Sequence, residues 1–236
     1  MSGLKYQVIV ADPPWNFKDS LKMSNVARGA KANYNTMSIS KIKGMPVKDI
    51  ADPNGAILAL WVPSSLLQEG LDVMKAWGFT HKQTYVWVKT KKDSFADFKK
   101  WIRKSIIKHP QIVYDKFAYM RAIKCILESI KNINLHHMLA FGMGRLFRQT
   151  HEICLIGINS RKIYKLLSNK SQRSVSFGVN LKHSAKPEHL QNSLEIMFPS
   201  ARKIELFARR HRVGWECYGN EICNGEDIYD SLAKLI

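Results

Sequence analysis

The chain has 236 residues, 45% of them apolar, which is enough for one α/β domain with a sizeable buried core. Its 37 Lys and Arg against 19 Asp and Glu leave a formal net charge of +18. So large a surplus is out of place in an enzyme of small neutral metabolites and points to a polyanionic partner, nucleic acid above all.

No apolar run is long enough to span a membrane, and residues 1–5 lead into a strand-like segment with no signal-peptide pattern, so a soluble cytoplasmic protein is expected. Cys125, Cys154, Cys217 and Cys223 form no Cys-x-x-Cys pair, and no His cluster completes a zinc site around them. They read as reduced packing thiols, with no metal expected.

In chain order, Val8-Ile9-Val10-Ala11 is a continuous apolar run that meets Asp12-Pro13-Pro14, and reads as a buried strand ending where proline removes the ladder donors. A second strand is expected at 56–61 and a third at 84–88, with Leu67, Leu71, Met74 and Trp77 at helical spacing between them. Residues 91–139 break the alternation. Phe95, Phe98, Trp101 and Ile102, then Val113, Phe117, Ile123, Ile126, Leu127 and Ile130, predict two amphipathic helices, the first crowded by Lys99, Lys100, Arg103, Lys104 and Lys108. A strand follows at 153–158, then a stretch to residue 187 with no acidic residue, which reads as a long, mobile, basic loop. Leu190, Leu194 and Met197 predict a helix before a last strand at 203–207. The whole predicts one α/β domain over 1–236 with a mostly parallel, doubly wound sheet and a basic helical insertion at 91–139. Ligands of such sheets sit beyond the carboxyl ends of the strands, where Asp12 lies.

Asp12-Pro13-Pro14-Trp15 is the tetrapeptide that carries chemistry, since its chance occurrence in a chain of this length is on the order of one in a thousand or rarer. The Asp12 carboxylate and the Pro13 carbonyl are an acceptor pair able to hold an amine and aim its lone pair, positioned by two stiff prolines, and Trp15 is expected to stack on the planar group that carries the amine.

Four blocks extend the motif: residues 10–15, Tyr34-Asn35-Thr36-Met37, Phe141-Gly142-Met143-Gly144-Arg145 running into His151-Glu152-Ile153-Cys154-Leu155-Ile156-Gly157, and His183-Ser184-Ala185-Lys186-Pro187-Glu188 followed by 203–221. Together they resemble the DPPW-type N6-adenine methyltransferases, the family of the catalytic subunit of the eukaryotic mRNA adenosine methyltransferase and of bacterial and phage DNA enzymes. The resemblance implies a Rossmann-like fold, S-adenosyl-L-methionine as cofactor, the β-class motif order with Asp12 ahead of the cofactor strand, and a bacterial or phage-infected host cell. It also implies that Asp12 contacts the cofactor, that Lys186 holds its methionine carboxylate, that Phe207, Arg209 and His211 line its pocket, and that Asn220 and Glu221 contact its adenosine. Glu205 is either a direct contact or a carboxylate orienting Arg209 or Lys203.

Tyr34, Asn35, Gly144 and Arg145 are expected to shape the target-base entrance. Lys99, Lys100, Arg103 and Lys104 are expected to grip phosphates. The sequence departs from the family in three ways: an acidic residue upstream of the motif has no counterpart here, Arg212 and Glu221 replace amides of the eukaryotic member, and residues 91–139 are unassigned. The expected substrate is DNA. RNA, a non-catalytic nucleic-acid-binding member of the same fold and a metabolite methyltransferase are the alternatives, and the chain leaves room for a homodimer.

Overall fold

The computed structural model of the protein describes residues 4–16, 36–92, 94, 99–100, 103–104, 116–131, 135–142, 144, 146–179, 185–219, 221–222 and 227–236. A seven-stranded sheet is its frame, with strands β1 (Val8–Ala11), β2 (Ile57–Val62), β3 (Thr80–Thr90), β4 (His151–Ile158), β5 (Val175–Val179), β6 (Lys203–Leu206) and β7 (Glu216–Tyr218) in the order β5-β3-β4-β2-β1-β6-β7. β1 pairs in parallel with β2 and with β6, and β6 in parallel with β7, whereas β4 runs antiparallel to β2 with Ile153 opposite Val62. β4 thus enters the sheet at the edge where β1 and β2 end.

Burial explains the run of apolar residues in β1, all four at 1% exposure or less. Ile9 and Ala11 face one core with Leu58, Leu60, Val62, Leu155, Ile204 and Leu206, and Val8 and Val10 face another with Ile57, Ala59, Trp61 and Cys154. The first face is covered by α1 (Ile39–Lys43), α2 (Val47–Ile50), α3 (Leu67–Ala76) and α6 (Ile228–Ala233), through Ile42, Val47, Ile50, Val73, Met74, Trp77, Ile228 and Leu232. α5 (His189–Met197) covers the second face through Leu190 and Leu194. A strand buried on both faces has no use for alternation, and each Val or Ile removed from water contributes roughly 1.5–3 kcal/mol. The fold is the expected Rossmann-like, mostly parallel α/β sheet.

The chain divides into two compact units: Met1–Trp87 with Glu152–Ser176 and Pro187–Ile236, and Val88–His151 with Phe177–Lys186. The second holds α4 (Lys116–Lys131), whose Phe117, Tyr119, Met120 and Leu127 are exposed. Of the other helix expected there, Phe95, Phe98, Trp101 and Ile102 lie outside the described residues.

One expectation is corrected. Residues 153–179 are not a long loop: after β4 they form a 3₁₀ turn at Arg161–Leu166 and the edge strand β5, and residues 180–184 of the expected loop lie outside the described residues. Val175, Phe177 and Val179 stand on the exposed side of β5 with Ser176 and Gly178 between them, so its alternation is inverted and its polar members resemble loop composition. Among the described residues no helix is long and apolar enough to cross a membrane.

Candidate active site at the carboxyl edge of the sheet

The Asp12 backbone N–H makes the last rung of the β1–β6 ladder, donating to the Leu206 carbonyl at 3.4 Å. Pro13 and Pro14 have no N–H to continue it, so the chain turns out of the sheet. The turn is held at three points: Trp15 N–H donates to the Pro13 carbonyl (2.9 Å), Met37 N–H to the Pro14 carbonyl (2.8 Å), and the Trp15 indole N–H to the Trp61 carbonyl (2.9 Å). Trp15 is 3% exposed and belongs to the core. That placement leaves it little face for a base, so the stacking expected of Trp15 gives way to an anchoring role in which the indole ties the turn to β2. The Pro13 carbonyl keeps one lone pair beside the Trp15 bond. The Asn16 side-chain oxygen, next in the chain, is buried with no hydrogen-bond partner among the described residues.

β6 leaves the sheet beside β1, with Ala11 opposite Leu206, so Asp12 and Phe207 are neighbours in register. Phe207 has φ 63°, the left-handed region that a bulky residue enters only under constraint. The constraint lies on its other side: Ala208 N–H donates to the Tyr218 carbonyl at 2.9 Å, and Gly219 packs so closely on the Ala208 backbone that any Cβ would collide with it. Glu205, one residue before Leu206, accepts from the Gln191 amide at 3.2 Å. Burial pushes its carboxyl up, the Gln191 bond and Arg210 pull it back, and the charge of Asp12 pushes it up again, which makes the two carboxyls electrostatic neighbours.

The loop beyond Phe207 is organised by acids of α5 and its N-terminal turn. Arg212 donates to Glu195 (2.7 Å), Glu188 (3.0 Å) and Asn192, Arg210 pairs with Glu188 (2.6 Å), and the Trp215 indole donates to Glu195 (2.6 Å). The Arg212 bond holds the Glu195 carboxyl below the usual carboxylate range. His211 is exposed and lines an open cavity of about 350 Å³ with Glu188, Glu195, Arg212 and Val213. Arg209 pairs with Glu221 at 3.5 Å, both partly exposed.

Of the expected site residues, this unit brings together Asp12, Pro13, Pro14, Glu205 and Phe207 at the strand ends, with Arg209, His211 and Glu221 on the loops that follow. Lys186 belongs to the other unit, where it is half-buried, as do Gly144 and the exposed Lys99, Lys100, Arg103 and Lys104. Tyr34, Asn35, Arg145 and Asn220 lie outside the described residues. Glu205 does not hydrogen-bond Arg209 or Lys203: its partner is Gln191, and Lys203 Nζ instead donates to the Pro199 and Ala201 carbonyls. The Arg212 clamp was missed. Its signal was available in Glu188 and Glu195, two helical turns apart on one face, opposite the run Arg209-Arg210-His211-Arg212. Among the described residues no three His, Cys, Asp or Glu gather as a metal site.

Residues 6–111 and 100–221 match the MT-A70 family. The chain belongs to that family. Its MT-A70 relatives include a probable N(6)-adenosine-methyltransferase MT-A70-like protein of Oryza sativa subsp. japonica, 23% identical over 96% of this chain and 24% of that protein. The human N(6)-adenosine-methyltransferase catalytic subunit METTL3 is 22% identical over 92% and 28%. Type II methyltransferase M.MunI of Mycoplasma sp. is 24% identical over 92% of this chain and 78% of its own length. The chain thus spans about a quarter of the eukaryotic relatives and most of the bacterial one. MT-A70 methyltransferases use S-adenosyl-L-methionine. The chemistry of the loop fits that group: the open cavity exposes the His211 imidazole, and Glu221, whose side chain is 60% exposed, is a carboxylate of the kind that accepts from ribose hydroxyls.

Proposed function

We propose that the protein methylates the exocyclic N6 amine of adenine in DNA, at a specific site, with the base turned out of the helix into the pocket at Asp12. The observation that carries this is the turn 12–15 itself, an acceptor pair at the carboxyl edge of the sheet, locked by the Trp15–Trp61 bond and set in register beside Phe207. The Asp12 carboxylate accepts one hydrogen of the amine and the Pro13 carbonyl the other. Their fixed positions draw the nitrogen lone pair out of the ring plane without reorganisation at the moment of reaction. S-adenosyl-L-methionine, when bound, supplies the electrophilic methyl group. Lys186 would hold its carboxylate, Phe207, Arg209 and His211 its body, and Asn220 and Glu221 its ribose. Asn16 offers a further buried acceptor beside the turn.

DNA is favoured by the bacterial and phage enzymes in the resemblance and by the similarity to Type II methyltransferase M.MunI, while the net charge of +18 suits either nucleic-acid backbone. A bacterial or phage-infected cytoplasm is the setting this implies. Incubation with labelled S-adenosyl-L-methionine and duplex DNA, single-stranded DNA or RNA, followed by identification of the modified nucleoside, tests the reading. N6-methyladenine in DNA supports it, and label confined to RNA would replace DNA with RNA as the substrate. No transfer to any nucleic acid would leave a non-catalytic member of the fold.

A further inference from the structure

We infer that Glu205 stands in the folded protein as an un-ionised carboxylic acid up to neutral pH, joined to the Gln191 amide by hydrogen bonds in both directions, and that in this form it is a positioning residue for Asp12. The second half of the inference rests on the methyl-transfer reading above.

The register of the sheet sets the two carboxyls together. Glu205 is paired with Val10, whose side chain faces the core under α5. The ladder continues through the Asp12 N–H, so strand alternation returns Asp12 to that same face two residues on. Asp12, Glu205 and α5 belong to one compact unit. Two like charges so placed resist ionising together, and the pair retains a proton at pH values where an isolated carboxyl is bare.

Gln191 decides which carboxyl keeps that proton. Its side chain is 5% exposed, and its amide donates to Glu205 Oε1 at 3.2 Å, while its own Oε1 is buried with no donor among the described residues. A buried acceptor without a donor is costly. An ionised carboxylate has no hydrogen to offer it, whereas the un-ionised acid has one. With the proton on Glu205, its hydroxyl donates back to Gln191 Oε1, and acid and amide close a ring. A half-turn of the amide would set its oxygen against Glu205 and call for the same proton.

The charged groups nearby are answered elsewhere. On the loop after β6, Arg210 pairs with Glu188, and Arg212 donates to Glu188, Glu195 and Asn192. Lys203, on the same face of β6, donates to the Pro199 and Ala201 carbonyls. β7 sets Cys217, a buried thiol, in register with Glu205. Burial and the charge of Asp12 hold the proton on, the Gln191 donor, Arg210 and Arg212 pull the other way, and the net direction for the Glu205 carboxyl is up. A neutral Glu205 leaves the charge on Asp12, the acceptor of the target amine, and spares it a like-charged neighbour. Once Glu205 ionises, the two carboxylates repel and Gln191 loses its donor, so the acceptor turn is pushed out of line.

The test titrates the whole chain, labelled with carbon-13 at the glutamate side-chain carboxyls, from pH 4 to pH 9. One signal, absent from Glu205→Gln, should hold the un-ionised position after the exposed glutamates have titrated. A Glu205 signal that moves with them overturns the inference, and so, should the variant not fold, does a parent spectrum with no late-titrating signal. Turnover on duplex DNA over the same range supplies the second arm. The parent kcat should fall on the alkaline side by roughly tenfold or more, since misplacing a group at the reacting centre costs up to about a hundredfold. The midpoint of that fall should coincide with that of the late signal. Glu205→Gln cannot ionise and still offers Gln191 a donor, so it should lack the fall. An alkaline fall shared by both proteins, or one whose midpoint departs from the late signal, overturns the positioning role. Methyl transfer to no nucleic acid by the unaltered chain would remove the methyl-transfer reading and the positioning role with it, while the titration judges the un-ionised acid by itself.

Discussion

Asp12 donates its backbone N–H to the Leu206 carbonyl at 3.4 Å, so the carboxylate expected to hold the target amine is fixed to the strand that leads into the expected cofactor loop. Asp12→Ala should stop methyl transfer while melting temperature and far-ultraviolet dichroism stay close to those of the parent. The loss should be at least about 2–3 kcal/mol in the barrier, the scale of one preorganised electrostatic contact. Turnover within a few-fold of the parent would sink the assignment.

Lys186, His211 and Asn220 are proposed to hold the cofactor. Alanine at each should weaken S-adenosyl-L-methionine binding in calorimetry without DNA present. If that affinity held and only DNA binding fell, these residues would belong to the nucleic-acid surface instead.

The exposed residues Lys99, Lys100, Arg103 and Lys104 are proposed to grip phosphates, which supply affinity without sequence information. If the grip neutralises about five phosphates, log affinity for duplex DNA against log salt should fall with a slope near −4 to −5. Glutamine at all four positions should flatten that slope and weaken every sequence alike, leaving cofactor affinity in place. An unchanged slope would show these side chains to be merely solvated.

Arg212 should matter for stability. Its bond holds the Glu195 carboxyl down, so this contribution is present above the ordinary carboxylate range and is lost as pH falls through the lowered folded value. Arg212→Ala should cost about 1–2 kcal/mol at pH 7, discounted for the partly exposed Glu195, and the gap to the parent should narrow in acid. Glu205 acts with the opposite sign: its raised carboxyl favours the fold below the ordinary range and loses that advantage as pH rises through the raised value. Thermal melts of Arg212→Ala and Glu205→Gln across pH 4–8 separate the two, and parallel curves would refute both.

What was legible in the sequence follows from how each residue signals its surroundings. Val8–Ala11 announced a strand covered on both sides, and Leu67, Leu71, Met74 and Trp77 announced a helix, because burial writes apolar residues at the period of the element. β5 was illegible because an edge strand with Ser176 and Gly178 between exposed apolar residues has the composition of a loop. At the site, Asp12, Phe207 and Glu221 were singled out through a motif and a resemblance. The anchoring role of Trp15 was not, because whether an indole faces a ligand or the core depends on the distant Trp61 carbonyl. Nor could the sequence show that Glu195 serves both Arg212 and Trp215, a junction made between α5 and the loop that follows β6.

β1 lies between β2 and β6 with a core on each face, and this sets a clock as well as a position. Amides so enclosed exchange with solvent only when the whole unit opens, while peripheral turns open locally and often. Asp12 is joined covalently to the part of the molecule that opens last. Its carboxylate therefore keeps its bearing through smaller, local openings, and the hydrogen-exchange lifetime of Val10 and Ala11 measures how long that bearing is kept.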